Sequence, residues 1–131
     1  MRGLNDSVVI VTGAGGGIGT ATCKRFAEEG AKVAAWDINT TASKATAKAI
    51  NESGGTAQAF PCDITDFTAV KTAAKYTESV LGPINVLVNN AGWDVFRPFL
   101  KTDPELWEKI IAINLRGVIH THYAILEGMV K

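Results

Sequence analysis

The 131-residue sequence has little of what marks several protein classes. Its two cysteines, Cys23 and Cys62, lie far apart with no CxxC or His/Cys cluster, which predicts reduced thiols, no disulfide and no metal site. Thirteen basic side chains balance thirteen acidic ones, so charge does not indicate a nucleic-acid or anionic membrane partner. No apolar run approaches the ~20 residues of a membrane span, and no signal peptide precedes the first strand. We therefore expect a cytoplasmic protein.

Hydrophobic residues make up 47% of the chain, and its length fits one domain over residues 1–131. Strand patterns alternate with helix patterns, which predicts an α/β fold with a doubly wound, mostly parallel sheet and helices on both faces. The expected strands cover residues 7–12, 32–37, 56–60 and 84–88, and the expected helices cover 21–29, 41–52, 66–81 and 104–129.

A glycine-rich turn joins the first strand to the first helix. Residues 8–11 are all β-branched, as in a buried parallel strand. Glycine permits positive φ and close approach of a ligand, and a helix N-terminus offers N–H groups and a positive dipole end to a pyrophosphate. The turn is a candidate dinucleotide site if an acidic residue follows downstream. Its glycines are Gly13, Gly15, Gly16, Gly17 and Gly19.

Asp37 ends the second strand, 18 residues after Gly19. Ligands of doubly wound sheets bind at the carboxyl ends of the strands, where a carboxylate can accept hydrogen bonds from both adenosine ribose hydroxyls and repel a 2′-phosphate. Gly16 and Ile38, the positions at which a phosphate-binding cation is expected, are not basic. The pattern favours NAD over NADP, and an ordinary strand-end turn is the alternative for Asp37.

Small and polar residues follow the third and fourth strands. Asp63 is a candidate to accept a hydrogen bond from the adenine amino group and Ile64 to pack on the ring; an Asx turn or helix cap with Thr65 is the alternative. After the fourth strand, side-chain amides can tie strand ends together or hold a ribose, and an ordinary polar turn is again the alternative. These residues are Asn89, Asn90, Ala91 and Gly92.

These motifs, together with Asn114, resemble those of the classical short-chain dehydrogenases/reductases. The glycine spacing is that family's GxxxGxG, and the resemblance covers essentially the whole chain. It implies the N-terminal half of such an enzyme, with a Rossmann-type βαβαβαβα fold, strand order 3-2-1-4, NAD as cofactor, a small-molecule substrate and a homo-oligomeric complete enzyme.

The resemblance also implies roles for individual residues. Gly13, Gly17 and Gly19 would form the pyrophosphate turn, with residues 14–18, including Ile18, lining the cofactor. Asp37 and Asn90 would bind ribose, Asp63 and Ile64 would bracket adenine, and Ala91 and Gly92 would border the nicotinamide. Asn114 would distort its helix and hold a water in a proton relay, which makes it a candidate catalytic residue. Its alternative is an ordinary polar helix residue, although Gly117 favours an irregular helix.

The family's catalytic serine and its YxxxK motif are not found in these residues. Tyr76 is followed four residues later by Val80, and Tyr123 by Glu127. In the family these groups follow a fifth strand. We therefore expect no catalysis by this chain alone and, because the fourth strand would be an apolar edge, poor solubility or partial folding. His120 and His122 are interpreted as surface or interface histidines.

Two functions follow. The first is an NAD-dependent alcohol dehydrogenase or ketone reductase that passes hydride between a carbinol carbon and nicotinamide C4. The run Asn90–Asp94 is similar to family members that act on alicyclic hydroxyacyl-CoA esters or 3-oxoacyl thioesters, which favours a hydroxyacyl or oxoacyl thioester substrate. The second is a non-catalytic NAD-binding module, or a half-enzyme completed by a partner chain. The residues expected at the substrate mouth are Trp93, Asp94, Phe96 and Arg97.

Overall fold

The computed structural model describes residues 3–131 and contains a four-stranded parallel sheet of order β3-β2-β1-β4. The alternating α/β fold and the strand order predicted from the sequence are confirmed. The elements are β1 (Val8–Thr12), α1 (Gly17–Glu28), β2 (Lys32–Asp37), α2 (Thr40–Glu52), β3 (Thr56–Pro61), α3 (Phe67–Leu81), β4 (Ile84–Val88), a 3₁₀ turn (Phe99–Lys101), α4 (Pro104–Ile111), a π-helical segment (Ala112–Arg116) and α5 (Gly117–Met129).

Helices cover both faces of the sheet. On one face, alternate residues such as Val9, Val11 and Val33 pack with Cys23 of α1 and Ile50 of α2. On the other, the intervening residues pack against α3 and α5. That second core is built from Ile10, Trp36, Phe60, Val70, Ala74 and Ile125. The buried indole of Trp36 donates a hydrogen bond of 3.0 Å to the hydroxyl of Thr77, which fixes α3 on the sheet.

Side chains satisfy backbone N–H groups at a register shift of the sheet and at three helix N-termini. The β1–β4 register shifts between Val8 and Val9, and the side-chain oxygen of Asn85 accepts the Val8 N–H at 2.8 Å. Asn39, Asp66 and Asp103 cap α2, α3 and α4 by accepting backbone N–H bonds. These caps satisfy donors that the first turn of a helix leaves without partners.

Two helix boundaries differ from the sequence-based expectation. The first helix begins at Gly17 rather than Ala21, so the last glycines of the turn form its first turn, where helix propensity matters least. The last helix is interrupted by the π-helical segment, and the Asn114 side chain there donates to the Ile110 carbonyl at 2.9 Å. Within residues 3–131, no helix is long and apolar enough to cross a membrane.

Candidate functional site

A cleft of about 790 Å³ opens at the carboxyl ends of the strands. Its walls include every predicted cofactor-binding residue except Gly15. These wall residues are Gly13, Gly16, Gly17, Ile18, Gly19, Asp37, Ile38, Asp63, Ile64, Asn90, Ala91 and Gly92. The structure thus brings together side chains from the ends of all four strands, as expected for ligand binding by a doubly wound sheet.

The glycines shape the cleft because side chains there would fill it or collide with the backbone. Gly13 has a φ of 66°, and a Cβ added to it would lie 2.9 Å from the Ala91 Cα. A Cβ on Gly19 would overlap the Gly13 carbonyl. Gly16 is the N-cap of α1, and because it has no side chain it does not cap the N–H groups of the first helical turn. This N-terminus, which faces the cleft, suits the pyrophosphate of a dinucleotide.

The turn is held onto β2, α1 and α2 by hydrogen bonds to Ala14. Its N–H donates to the Trp36 carbonyl at 3.0 Å, and its carbonyl accepts from the hydroxyls of Thr20 and Thr46 at 3.1 and 3.0 Å. Gly15 lies on the side of the turn away from the cleft, where an added Cβ would be 2.5 Å from that of Ala42 in α2. Gly15 is therefore needed for packing against α2.

Asp37 connects the end of β2 to the glycine turn. Its Oδ2 accepts the Gly15 N–H at 2.8 Å, and its Oδ1 accepts the Asn39 N–H at the same distance. The carboxylate lines the cleft and is partly exposed, and its two hydrogen bonds form the strand-end turn that was the alternative interpretation.

The Asp63 carboxylate forms the Asx turn that was the alternative interpretation. Its Oδ1 accepts from both the backbone N–H and the hydroxyl of Thr65, at 2.9 and 2.7 Å. Asp63 also lines the cleft beside Ile64, whose side chain is buried. The turn therefore fixes the residue in the wall where adenine is expected.

Asn90 ties β4 to β1. Its side-chain amide donates to the Thr12 carbonyl at 3.0 Å and to the Gly13 carbonyl at 3.3 Å. The buried Thr12 hydroxyl accepts the backbone N–H groups of Asn90 and Ala91, each at 3.0 Å. This set of bonds joins the NNAG segment, residues 89–92, to the start of the glycine turn.

Asn114 links the π-helical segment to the residue after the NNAG segment. Its Oδ1 accepts the Trp93 N–H at 3.2 Å, and its Nδ2 donates to the Trp93 carbonyl at 2.6 Å. A Cβ on Gly92 would lie 2.9 Å from the Asn114 Oδ1, so a larger residue there would push this amide away from Trp93. Asn114 itself is not among the wall residues of the cleft.

Several wall residues were not predicted from the sequence. The Lys109 ammonium lies 3.8 Å from the ring centroid of Trp93, and both residues line the cleft. Burial raises the pKa of the Cys62 thiol to about 12, so this cysteine is a protonated apolar wall residue. Lys109 and Trp93 are 16 residues apart in the sequence, so no local motif predicts their contact. The other unpredicted wall residues are Trp36, Thr65, Ala112 and Ile113.

The residues expected at the substrate mouth separate in the structure. Trp93 lines the cleft, whereas Phe96 is fully exposed on the loop that follows it. Asp94 and Arg97 are also exposed and do not line the cleft. Farther along the loop, Phe99 stacks on Trp107 of α4, with ring centroids 5.7 Å apart. Among residues 3–131, no group of three or more His, Cys, Asp or Glu side chains could hold a metal ion.

Known proteins are similar to this chain in sequence and in fold. The sequence model of the family described as short chain dehydrogenase matches residues 7–131. The uncharacterized oxidoreductase YxbG of Bacillus subtilis is 40% identical over 118 residues, which are 89% of this chain and 43% of that protein. The D-threitol dehydrogenase of Mycolicibacterium smegmatis is 34% identical over 98% of this chain and 49% of its own length. The chain thus spans less than half the length of these two relatives.

Solved structures superpose on nearly the whole chain. A xylitol dehydrogenase bound to NAD⁺ matches with a TM-score of 0.93 and 34% identity, covering 98% of this chain and 50% of that one. A metagenomic short-chain oxidoreductase in complex with NADP matches with a TM-score of 0.90 and 31% identity, covering 96% and 57%. With the family match over residues 7–131, these similarities show that the chain belongs to the short-chain dehydrogenase family.

Proposed function

We propose that this chain forms the dinucleotide-binding part of an NAD-dependent short-chain oxidoreductase that interconverts an alcohol and a ketone. The observation that carries the proposal is the meeting of the glycine turn and the Asp37 carboxylate at one edge of the cleft, joined by the 2.8 Å bond from the Gly15 N–H. Family membership supports an oxidoreductase rather than a binding module without catalysis.

The charges around Asp37 support NAD in preference to NADP. A carboxylate accepts hydrogen bonds from ribose hydroxyls but repels a 2′-phosphate, and neither Gly16 nor Ile38 offers a compensating cation. The solved relatives carry NAD⁺ in one case and NADP in another, which supports a nicotinamide dinucleotide as the cofactor class.

The wall residues fit such a cofactor, because only glycine at positions 13 and 19 allows the turn to pack this closely on Ala91 and on itself and to keep its backbone open to a pyrophosphate. The N-terminus of α1 would bind that pyrophosphate, Asp37 and Asn90 the riboses, Asp63 and Ile64 the adenine, and Ala91 and Gly92 would border the nicotinamide. When bound, the nicotinamide supplies the acceptor or donor of hydride. Asn114 holds the backbone of Trp93 and, in this proposal, positions a water of the proton relay.

The substrate proposed for the complete enzyme is a hydroxyacyl or oxoacyl thioester. Trp93 offers an apolar ring at the β4 end of the cleft, and Lys109 places a positive charge against it. An aromatic surface beside a cation suits an acyl group attached to an anionic carrier. Substitution of Lys109 would then raise KM for CoA-linked substrates more than for simple alcohols.

A homo-oligomer is also proposed for the complete enzyme. The side chains of Ile111, Leu115, Ile119 and Leu126 follow one another along α4, the π-helical segment and α5, and each is about half exposed. An apolar stripe of this kind is typical of a surface that packs against another helix. Sedimentation of the chain and of an Ile119→Glu variant tests whether this stripe is the subunit surface: we expect the unaltered chain to associate and the variant to associate less, and a monomeric unaltered chain would contradict this use of the stripe.

Substitution of Asp37 tests the cofactor assignment. Asp37→Ala removes the ribose acceptor and the support of Gly15, so we expect NADH affinity to fall by at least about tenfold, as for loss of a charge-assisted hydrogen bond. NADPH affinity should fall less, because the repelling charge is also removed. Asp94→Ala is the matched control, since Asp94 is an exposed loop carboxylate that accepts only from the adjacent Val95 N–H among the bonds described. Equal losses for NADH and NADPH, or none, would contradict NAD preference.

A further inference from the structure

His120 of α5 contacts the wall of the cleft. Its Nδ1 lies 2.8 Å from the carbonyl oxygen of Ile64, and the imidazole is only partly exposed. Because a carbonyl oxygen can only accept, the imidazole must donate through Nδ1–H. His120 is therefore bonded to the turn that follows β3, and the interpretation of it as a surface or interface histidine does not describe this contact.

A second contact of α5 fixes the Ile64 side chain. Gly117 lies one turn before His120, and a Cβ on it would be 2.6 Å from the Ile64 Cδ1. The helix backbone therefore packs directly on Ile64. On the other side of the histidine, the Phe67 ring packs against the imidazole with centroids 5.3 Å apart. Ile64 is thus held at its side chain by Gly117 and at its carbonyl by His120.

The other hydrogen bonds of the turn at residues 63–66 are local, so the bond from His120 adds a constraint that they do not supply. The Asx turn from Asp63 to Thr65 and the Asp66 N–H bond to the Asp63 carbonyl, 3.1 Å long, organise residues 63–66 locally. Neither bond relates the turn to the rest of the cleft. The His120 bond instead joins the turn to α5, across 56 residues of sequence.

We propose that His120 is a positioning residue for the nucleotide base: its Nδ1–H bond to the Ile64 carbonyl sets the place of the Asp63–Ile64 wall against which an adenine binds. This role rests on the proposed function, since it presupposes that an adenine nucleotide occupies the cleft. His120 does not line the cleft itself and acts through Ile64.

Three variants test this role. His120→Leu keeps much of the volume but removes the donor, whereas His120→Asn keeps a donor near the position of Nδ1. His122→Leu is the matched control, because His122 is exposed on the same helix and its Nδ1 is bonded to the Val118 carbonyl of that helix at 2.8 Å. We expect His120→Leu to weaken AMP and NADH binding by about three- to tenfold, the usual effect of one hydrogen bond. His120→Asn should recover most of the affinity, and His122→Leu should match the unaltered chain.

A measurement without nucleotide separates this role from the proposed function. Amide hydrogen exchange at Asp66, whose N–H bonds to the Asp63 carbonyl, should be faster in His120→Leu and restored in His120→Asn. If the unaltered chain bound neither AMP nor NADH, the proposed function would be contradicted. If it bound both and His120→Leu bound them equally well, or if His120→Asn behaved as His120→Leu, the role of His120 alone would be overturned.

Discussion

The two sides of the cleft are built in different ways. On the adenosine side, residues 13–20, 36–38 and 62–65, short polar groups are already bonded to one another, as Asp37 is to Gly15 and Asp63 to Thr65. On the β4 side, residues 89–93 and 109–114, backbone groups are also bonded, but the wall itself is completed by the Trp93 ring and the Lys109 side chain against it. All five residues of β1 are buried, whereas only Ile84 is buried in β4.

This difference suits two kinds of ligand. A rigid wall of backbone and short side chains is preorganised for a ligand that is always the same, such as the adenosine half of a dinucleotide. A wall that rests on an exposed aromatic side chain and a long loop can differ between enzymes without disturbing that half. In the proposed function, the chain therefore joins a preformed wall for adenosine to a wall at β4 that includes an exposed aromatic side chain.

The largest expected effect comes from filling the glycine turn. Gly19→Ala would place a Cβ on the Gly13 carbonyl, so we expect unfolding free energy to fall by about 2–3 kcal/mol and NADH binding to be lost. Gly17→Ala is the control for stability, because an added Cβ there meets no atom within 4 Å and should change it by less than about 1 kcal/mol. Urea titration and NADH fluorescence measure both quantities. Equal stability of the two variants would contradict a preformed turn.

A smaller effect is expected on the β4 side. Asn114→Ala removes the bonds to both backbone groups of Trp93, so amide exchange at Trp93 should accelerate while stability falls by about 1 kcal/mol. Asn51→Ala is the control, since Asn51 bonds in the same way to both backbone groups of Ala57. That variant should accelerate exchange at Ala57 and not at Trp93. Unchanged exchange at Trp93 in Asn114→Ala would show that the loop is held by other contacts.

The pKa values of the two cysteine thiols depend on how well the two hydrophobic cores exclude water. Burial raises the pKa of both Cys23 and Cys62 from 9.0 to about 12. The unfolded chain loses these protons first, so stability contributed by the thiols is present below pH 9 and falls between pH 9 and 12. At pH 10 the loss is about 1 kcal/mol per thiol.

Unfolding titrations of the chain and of Cys62→Ala at pH 8 and pH 10 measure this effect. The variant should lose less stability between the two pH values than the unaltered chain does. An identical loss would mean that Cys62, on the adenosine side, is open to solvent in the folded state.

The smallest effect is expected at Lys109. Lys109→Met removes a positive charge from the wall, so NADH affinity should fall about two- to threefold at low salt, and the difference should shrink as salt is added. Lys101→Met is the control, because Lys101 lies in the 3₁₀ turn, is exposed and does not line the cleft. Calorimetry at two salt concentrations checks this. A salt-independent difference would indicate lost packing on Trp93 instead of lost charge.

Much of the adenosine side was predictable because its signals are local. The β-branched run before the glycines, and Asp37 at the end of the next strand, mark turns whose residues are close in sequence. The alternation of strands and helices was enough for the α/β class, and family motifs supplied the strand order that is confirmed.

What sequence reasoning missed depends on contacts between distant elements. Lys109 enters the wall through the packing of α4, and His120 reaches Ile64 across the gap between α5 and β3. The start of α1 at Gly17 was missed because glycine has low helix propensity, although a first turn tolerates it. Only the assembled fold brings these groups together.

Calorimetric titration of the unaltered chain with NADH and with NADPH tests the central claim most directly. Asp37 in the wall, with no cation at Gly16 or Ile38, predicts measurable NADH binding that is at least about tenfold tighter than NADPH binding. Equal or tighter binding of NADPH, or no binding of either nucleotide, would contradict the account.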